Sequence, residues 1–448
     1  MLNLVSGEVE LTVQSHRFLK TSRASERSDR TQLEAVVGDM LRRIEGERDS
    51  AVRHYAAKLD QWDGLEFRVT DDKIREVARR LPETFKEDLA VCLRNVTKFA
   101  KLQRESMTEF ESEVSPGVFL GQKLIPVTAA GCYIPGGKYP LISAAIMSVA
   151  TAKVAGVDYV VGCAPPRNQD GIFPATLYAL HVSGATEIYC LGGVQAMAAM
   201  AHGCLGMRAV DIITGPGNAY VAEAKRQLFG MVGIDLPAGP TEIMIIADDS
   251  ADPDLVAIDL LGQAEHGPDS PAWLVTTSEK LGQEVLVSVE RLLKTLPTRD
   301  IAAVSWGNLG EIIIVESDDA AIALSDEYAP EHLEVQTSRN DYYLKNLRNY
   351  GSIFVGEEST VAYGDKGVGT NHTLPTGRAA RYTGGLSVGK FIKTVTYQRL
   401  TPKASREIAP VMARMCEAEG MLAHAATCDA RFGRYAPDNE VLSGGGVS

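Results

Sequence analysis

The seven cysteines, Cys92, Cys132, Cys163, Cys190, Cys204, Cys416 and Cys428, include no C-x-x-C pair. That excludes a vicinal redox motif. An odd count without close spacing fits reduced, mostly buried thiols rather than a disulfide framework. Positive charge is also short: Lys plus Arg total 45 against 58 Asp plus Glu, a net charge of −13. Such a chain is a poor binder of nucleic-acid phosphates, although a locally basic pocket for a small anion stays open. No apolar run approaches the roughly 18 residues of a membrane span. The segment 141–163 is interrupted by Lys153 and Asp158. The opening MLNLVSGEVELTV lacks the basic and apolar regions of a signal peptide. The sequence predicts a soluble cytoplasmic protein. Internal repeats and low-complexity tracts are missing, as are a complete G-x-G-x-x-G and a P-loop.

What is present is an ordinary globular composition over 448 residues, with 45% hydrophobic and 23% charged residues. At roughly 150 residues per domain, this suggests two to four domains. Residues 27–110 are rich in charge and helix formers, with Val37, Met40, Leu41 and Ile44 at helical spacing. Near Pro126 the rhythm changes. Short β-branched runs, Tyr159-Val-Val-Gly-Cys, Glu187-Ile-Tyr-Cys-Leu and Val210-Asp-Ile-Ile, each precede a helical stretch. Strands alternating with helices imply a parallel sheet with right-handed crossovers. After Pro240 the rhythm repeats, with strand candidates at Ile243–Ile246, Trp273–Thr276, Ile312–Val315, Leu333–Val335 and Ile353–Val355. The expected fold is therefore α/β, with two adjacent parallel-sheet units. The segment 364–401 reads as a long loop, and 403–427 as a helix detached from its own core, which hints at oligomerisation.

Ligands of open α/β sheets sit at the carboxyl ends of strands. Glycine turns fall there: Tyr133-Ile-Pro-Gly136-Gly137, Gly192-Gly193 and Gly215-Pro-Gly217-Asn218. They can admit a phosphate or simply turn the chain. Gln263-Ala-Glu-His266 ends a helical stretch with two groups that can face a metal or bond each other. Glu331-His332 opens a strand. A carboxylate and an imidazole are the usual proton carriers near pH 7, though a surface pair would read the same. Asp365 in the glycine-rich loop is a hard oxygen ligand or a turn residue. His372, His16, His54, His181 and His202 read as structural, and Glu419 and His424 lie on the final helical stretch.

The strings Tyr133-Ile-Pro-Gly-Gly137, Gly193-Val-Gln-Ala, Gly215-Pro-Gly-Asn-Ala-Tyr-Val-Ala-Glu-Ala-Lys-Arg-Gln227, Pro237-Ala-Gly-Pro-Thr-Glu242, Gln263-Ala-Glu-His-Gly-Pro-Asp-Ser270, Pro330-Glu-His-Leu333 and Gly369-Thr-Asn-His-Thr-Leu-Pro-Thr376 together resemble the histidinol dehydrogenase family. The resemblance runs from about residue 30 to 425. It implies zinc, NAD and oxidation of a primary alcohol to a carboxylate through an aldehyde. It implies Gln263, His266, Asp365 and His424 as zinc ligands, Glu331 and a neutral His332 as the acid–base pair, and Tyr133, Gln195 and Asn218 as NAD contacts. It further implies incomplete Rossmann-like units and a homodimer with shared sites, the tail bearing Glu419 and His424 swapping into the partner subunit. The domain division expected is an arm over 1–25, a first α/β domain over 26–131 with 240–385, an NAD-binding domain over 132–239, and a tail over 386–448.

Departures from the histidinol-oxidising pattern bear on substrate. Thr241 stands where those members have Ser, and Lys366 where they have Tyr. Arg378 and Arg381 occupy a stretch that is mainly uncharged in them. Positive charge near a zinc ligand suits an oxyanion and repels a cationic amino alcohol. This pattern resembles the sulfopropanediol 3-dehydrogenase branch, which oxidises the anionic polyol 2,3-dihydroxypropane-1-sulfonate to sulfolactate. Thr241, Lys366, Arg378, Arg381 and Glu419 are thus the candidate substrate contacts. L-Histidinol remains the alternative, favoured by the retained Glu419. A catalytically silent NAD-binding protein is the alternative from another class.

Overall fold

The computed structural model describes residues 16–436, apart from 24–29, 63, 65, 138, 237 and 238. Most of the expected arm over 1–25 lies outside the described residues, as do Pro237 and Ala238 of one quoted string. The described chain forms two units. The first runs to Arg104 and from Val127 to Phe391; the second takes Glu105–Pro126 and the chain from Ile392 onward.

The first unit holds two sheets. In the six-stranded sheet the order is Arg17–Lys20, Gly310–Ile314, Ala272–Thr276, Ile243–Ala247, His332–Gln336, Ser352–Val355. All neighbours are parallel except the first pair. The strand Ile243-Met-Ile-Ile-Ala247 is uninterruptedly apolar because both its faces are covered. Ile243 and Ile245 pack on Val256, Ala257, Leu260 and Leu261 of the helix Pro253–Ala264. Met244 and Ile246 face the other way, toward Ala321, Leu324 and Tyr343. Each fully buried aliphatic side chain contributes roughly 1.5–3 kcal/mol. The helix starts where it does because Asp252 accepts the free N–H groups of Asp254 and Leu255, and Pro253 lacks one.

The five-stranded sheet is wholly parallel, in the order Gly233–Ile234, Ile212–Thr214, Ala129–Tyr133, Tyr159–Ala164, Glu187–Cys190. Its core includes Val194, Met197 and Met200 of the helix Gly193–His202, and also Val37, Met40, Leu41 and Ile44 of the helix Arg30–Glu47.

That packing changes the expected division. The apolar stripe of Arg30–Glu47 packs on the helices Gly193–His202 and Ala219–Leu228 of the five-stranded sheet's core, so this helix does not group with 240–385. The strand Ala129–Tyr133 crosses the expected boundary at 131/132 because its parallel partner is Tyr159–Ala164. Residues 105–126 belong with the tail, since Val118–Pro126 pairs antiparallel with Ile392–Leu400 along its whole length. The segment 364–401 is not all loop, as it ends in that strand.

The second unit, by itself, is a three-stranded antiparallel sheet, Ile392–Leu400, Val118–Pro126 and Phe110–Ser115, with the helices Pro402–Ala418 and Leu422–Arg434. Gly420 takes a left-handed conformation and separates the helices, so Glu419 caps one and His424 lies on the next. Large apolar side chains stay exposed here, among them Met412, Met415, Leu422 and Phe432. Among the described residues no helix is long and apolar enough to cross a membrane.

Candidate active site

His332 pairs in register with Ile243, which brings the residues just before these two strands side by side. Thr241 and Glu242 therefore lie against Glu331 at the amino ends of the central strands. Glu331 and His332 are both buried. Glu331 Oε2 accepts the Thr241 hydroxyl at 2.5 Å and the Glu242 N–H at 3.0 Å. The Thr241 oxygen in turn accepts from Gln263 Nε2. His332 Nδ1 lies 3.0 Å from the Glu242 carbonyl and 3.4 Å from Glu331 Oε2. The Gln263 amide nitrogen also lies 3.4 Å from Nδ1, but the shorter approach of the Glu242 carbonyl places the hydrogen on Nδ1. Nε2 is buried without a hydrogen-bond partner and lies 3.9 Å from Asp365 Oδ1.

Burial pulls the His332 pKa down. The charge and hydrogen bond of Glu331, the charge of Asp365 and the Glu242 carbonyl together overcome it and push the imidazole up to about 9. In the chain alone the buried Glu331 and the half-buried Asp365 favour the protonated imidazole, whereas the proton-accepting role expected from sequence uses the neutral form. Glu242, not singled out from sequence, is pushed up to about 8 by burial and by Glu331. Its carboxyl Oε1 accepts the Gly377 N–H at 3.1 Å, and Thr376 Oγ1 accepts the Gly239 N–H at 2.5 Å. These two bonds fasten the start of the basic segment to the acid–base pair. Arg378 follows directly, exposed and at φ 67, a left-handed conformation in which non-glycine residues are strained. Arg381 is also exposed.

The candidate ligands divide between the units. Gln263 is buried near the end of its helix, and its Nε2 is engaged by Thr241, which leaves Oε1 to ligate. His266 lies past the helix end at Ala264, so the pair does not share a helical face as expected. Burial lowers the His266 pKa against the pull of Asp365, and a neutral imidazole is a metal ligand. Asp365 lies on the helix Val361–Lys366, with Lys366 Nζ 3.8 Å from its Oδ2. Among the described residues no group of three or more His, Cys, Asp and Glu is gathered for a metal. The charge of Asp365 reaches His266, and the Gln263 amide lies 3.4 Å from His332. A nitrogen and two oxygens, beside the unpartnered His332 Nε2, fit zinc, which needs a fourth donor. His424 and Glu419 belong to the second unit, both exposed. His372, set aside from sequence, feels Asp365, Lys366 and His332, is held neutral by burial, and has an unpartnered Nε2.

The NAD candidates lie at the carboxyl edge of the five-stranded sheet. Tyr133 ends its strand, and its buried hydroxyl accepts the Gly193 N–H at 3.2 Å. Gln195 is fully buried. Its Nε2 donates to Asp60 at 2.9 Å, while its Oε1 has no partner and is free for a cofactor. Asp60 also accepts the Gly192 N–H at 3.0 Å; no motif signalled it. Asn218 caps the helix Ala219–Leu228 through the Val221 N–H and is exposed. Gly215, at φ 117, is compulsory: a Cβ there would lie 2.1 Å from the Tyr133 carbonyl oxygen. The buried pair Lys225–Asp235 clamps the Gly215 carbonyl and N–H. None of these residues lines the cavity of about 510 Å³ bounded by Phe67, Val77, Phe173 and Leu177.

The histidinol dehydrogenase family profile matches residues 23–432. A histidinol dehydrogenase homolog of Shouchella clausii is 53% identical over 90% of this chain and 95% of its own. The sulfopropanediol 3-dehydrogenase of Ruegeria pomeroyi is 46% identical over 94% and 97%. The crystal structure of histidinol dehydrogenase from Elizabethkingia anophelis superposes with a TM-score of 0.86 at 36% identity, covering 92% of this chain and 94% of that one.

Proposed function

Because the chain belongs to the histidinol dehydrogenase family of oxidoreductases, we propose that it is a zinc- and NAD-dependent dehydrogenase acting on an anionic primary alcohol, 2,3-dihydroxypropane-1-sulfonate. The carrying observation is the buried Glu331–His332 pair, joined through Glu242 and Gly377 to a segment bearing Arg378 and Arg381. One alcohol, two NAD⁺ and one water give the carboxylic acid, two NADH and two protons.

Gln263, His266 and Asp365 would hold zinc, with His424 contributed by a second copy. The exposed Met412, Met415, Leu422 and Phe432 of the second unit support a homodimer in which that tail is covered. Tyr133, Gln195 and Asn218 would hold NAD. When bound, the metal polarises the substrate oxygen and the nicotinamide takes the hydride. His332 exchanges its proton at Nε2, because Nδ1–H is committed to the Glu242 carbonyl. A metal on Asp365 would offset one of the charges that raise the His332 pKa, and Nε2 is the nitrogen open to the hydroxyl proton. Glu331, oriented by Thr241 and the Glu242 N–H, takes a proton from the water that adds to the aldehyde. Lys366, Arg378 and Arg381 are the cations available to the sulfonate.

L-Histidinol is the second reading, favoured by the retained carboxylate of Glu419. Purified protein assayed in parallel with both alcohols separates them. We expect NADH from dihydroxypropanesulfonate at two per alcohol consumed. Turnover of histidinol alone would reverse the assignment.

A further inference from the structure

Behind the candidate ligands lies a set of polar groups, Glu334 and Gln336 buried and Asp259 and Thr360 half-buried, with no part in the roles above. Asp259 precedes Gln263 by one turn on the helix Pro253–Ala264. Glu334 lies two residues after His332 on the same strand face and is fully buried. Thr360 and Val361 open the helix on which Asp365 sits one turn later. Three hydrogen bonds join these elements and a fourth lies within the strand. The Val361 N–H donates to Glu334 Oε1 at 3.0 Å, and the Thr360 hydroxyl donates to Asp259 Oδ1 at 3.0 Å. Gln336 Nε2 donates to Asp259 Oδ2 and to Glu334 Oε2, each at 3.1 Å.

Burial and the charge of Asp259 push Glu334 well above the ordinary carboxylate range, which favours a proton held between the two carboxyls. A buried carboxyl beside a half-buried one is costly, and well-packed apolar residues in their place would generally be no less stable. Stability is therefore a poor reason for them. Their geometry supplies a better one. Each of the three elements they join delivers a site residue about one turn, or two strand positions, away.

We propose that Asp259 and Glu334 are positioning residues, a brace that fixes Gln263, Asp365 and His332 relative to one another. The proposal rests on the reading of Gln263 and Asp365 as zinc ligands. A loss of alignment by a fraction of an ångström weakens a metal site, and outer partners of ligands typically matter by about 10–100-fold.

The test uses the full-length protein. Zinc affinity is measured by competition with a chromophoric chelator, and kcat/KM with the alcohol that the wild type turns over. Glu334→Ala and Thr360→Val should weaken zinc binding by about 10–100-fold while the circular dichroism stays native. Glu334→Gln should weaken zinc binding less than Glu334→Ala, because an amide still accepts from Val361 and donates to Asp259 and loses only the bond from Gln336. If Glu334→Ala does not fold, Thr360→Val decides, since it removes one hydroxyl and keeps shape. Tight zinc in the wild type, its loss in Gln263→Ala, and wild-type affinity and kcat/KM in folded Thr360→Val would overturn the brace alone. A wild type indifferent to zinc overturns the ligand reading, and the brace with it.

Discussion

The Thr241 hydroxyl stands between Gln263 and Glu331, receiving a hydrogen from the amide and giving its own to the carboxylate at 2.5 Å. One oxygen thus links a candidate ligand to a candidate base. Thr241→Val removes both bonds and leaves Glu331 with the Glu242 N–H. A hydrogen bond to a charged group is worth roughly 1.5–3 kcal/mol, so kcat/KM should fall by about 10–150-fold. Thr241→Ser keeps the hydroxyl and should recover most of it. Equal rates for all three forms would show that the contact has no role in turnover.

The acid–base pair predicts a split between steps. His332→Ala should slow alcohol and aldehyde oxidation alike, by about 10²–10⁴-fold. Glu331→Gln should chiefly slow conversion of aldehyde to acid, because water activation belongs to that half. Supplying the aldehyde directly separates the two. A loss under about tenfold in both variants and both halves would reduce the pair to a structural role.

The parallel sheets were legible because strands buried on both faces read as unbroken apolar runs, as in Ile243-Met-Ile-Ile-Ala247. The partners of those sheets were not legible. Val37, Met40, Leu41 and Ile44 announce an amphipathic helix but not which sheet's core it joins. Residues 105–126 meet their strand partner only after more than 260 intervening residues, beyond the reach of local pattern. Within the site, the glycine turns and Glu331-His332 stood out by residue type. Glu242, Asp60 and Asp259 did not, because a carboxylate in a helix or before a strand looks like any surface acid until burial is known. The raised pKa of His332 owes most to its neighbour Glu331, but the added pull of Asp365, distant in sequence and 3.9 Å away in space, was not legible.

Glu242 makes stability depend on pH. Its folded pKa of about 8 lies above the roughly 4.3 of an unfolded glutamate. A raised folded pKa gives stability that is complete below the unfolded value and lost as pH climbs through the folded one. The melting temperature should therefore decline from about pH 5 to 8 on this account. Glu242→Gln, which cannot ionise, should lessen the decline by about 1 °C per kcal/mol involved, since unfolding entropy grows with chain length. Parallel melting curves for both proteins across that range would refute the assignment.

Gly215→Ala should damage cofactor binding before anything else. The φ of 117 disfavours a side chain, and the added Cβ meets the Tyr133 carbonyl oxygen at 2.1 Å. Tyr133 and the turn must move apart, which disturbs the edge at which Gln195 Oε1 lies unpartnered. NAD binding followed by fluorescence titration should weaken at least about tenfold, since misplacement of about 1 Å is costly at such sites. An unchanged affinity would place the cofactor elsewhere.

Substrate charge gives the last prediction. Arg378 and Arg381 are exposed and flank a backbone fastened to Glu242, and Lys366 stands 3.8 Å from Asp365. If one of them binds a sulfonate, its replacement by alanine should lower kcat/KM by about 10–150-fold, the equivalent of one charge-assisted hydrogen bond. The loss should be specific to the anionic alcohol and much smaller for a neutral diol of the same length. Arg→Lys should also be harmful at whichever arginine makes a forked contact, because lysine keeps the charge without the planar pair of donors. Added salt should weaken the wild type toward the variant, since exposed charges are screened. Wild-type kcat/KM for dihydroxypropanesulfonate in all three alanine variants would make this segment a solvated surface and return histidinol to first place.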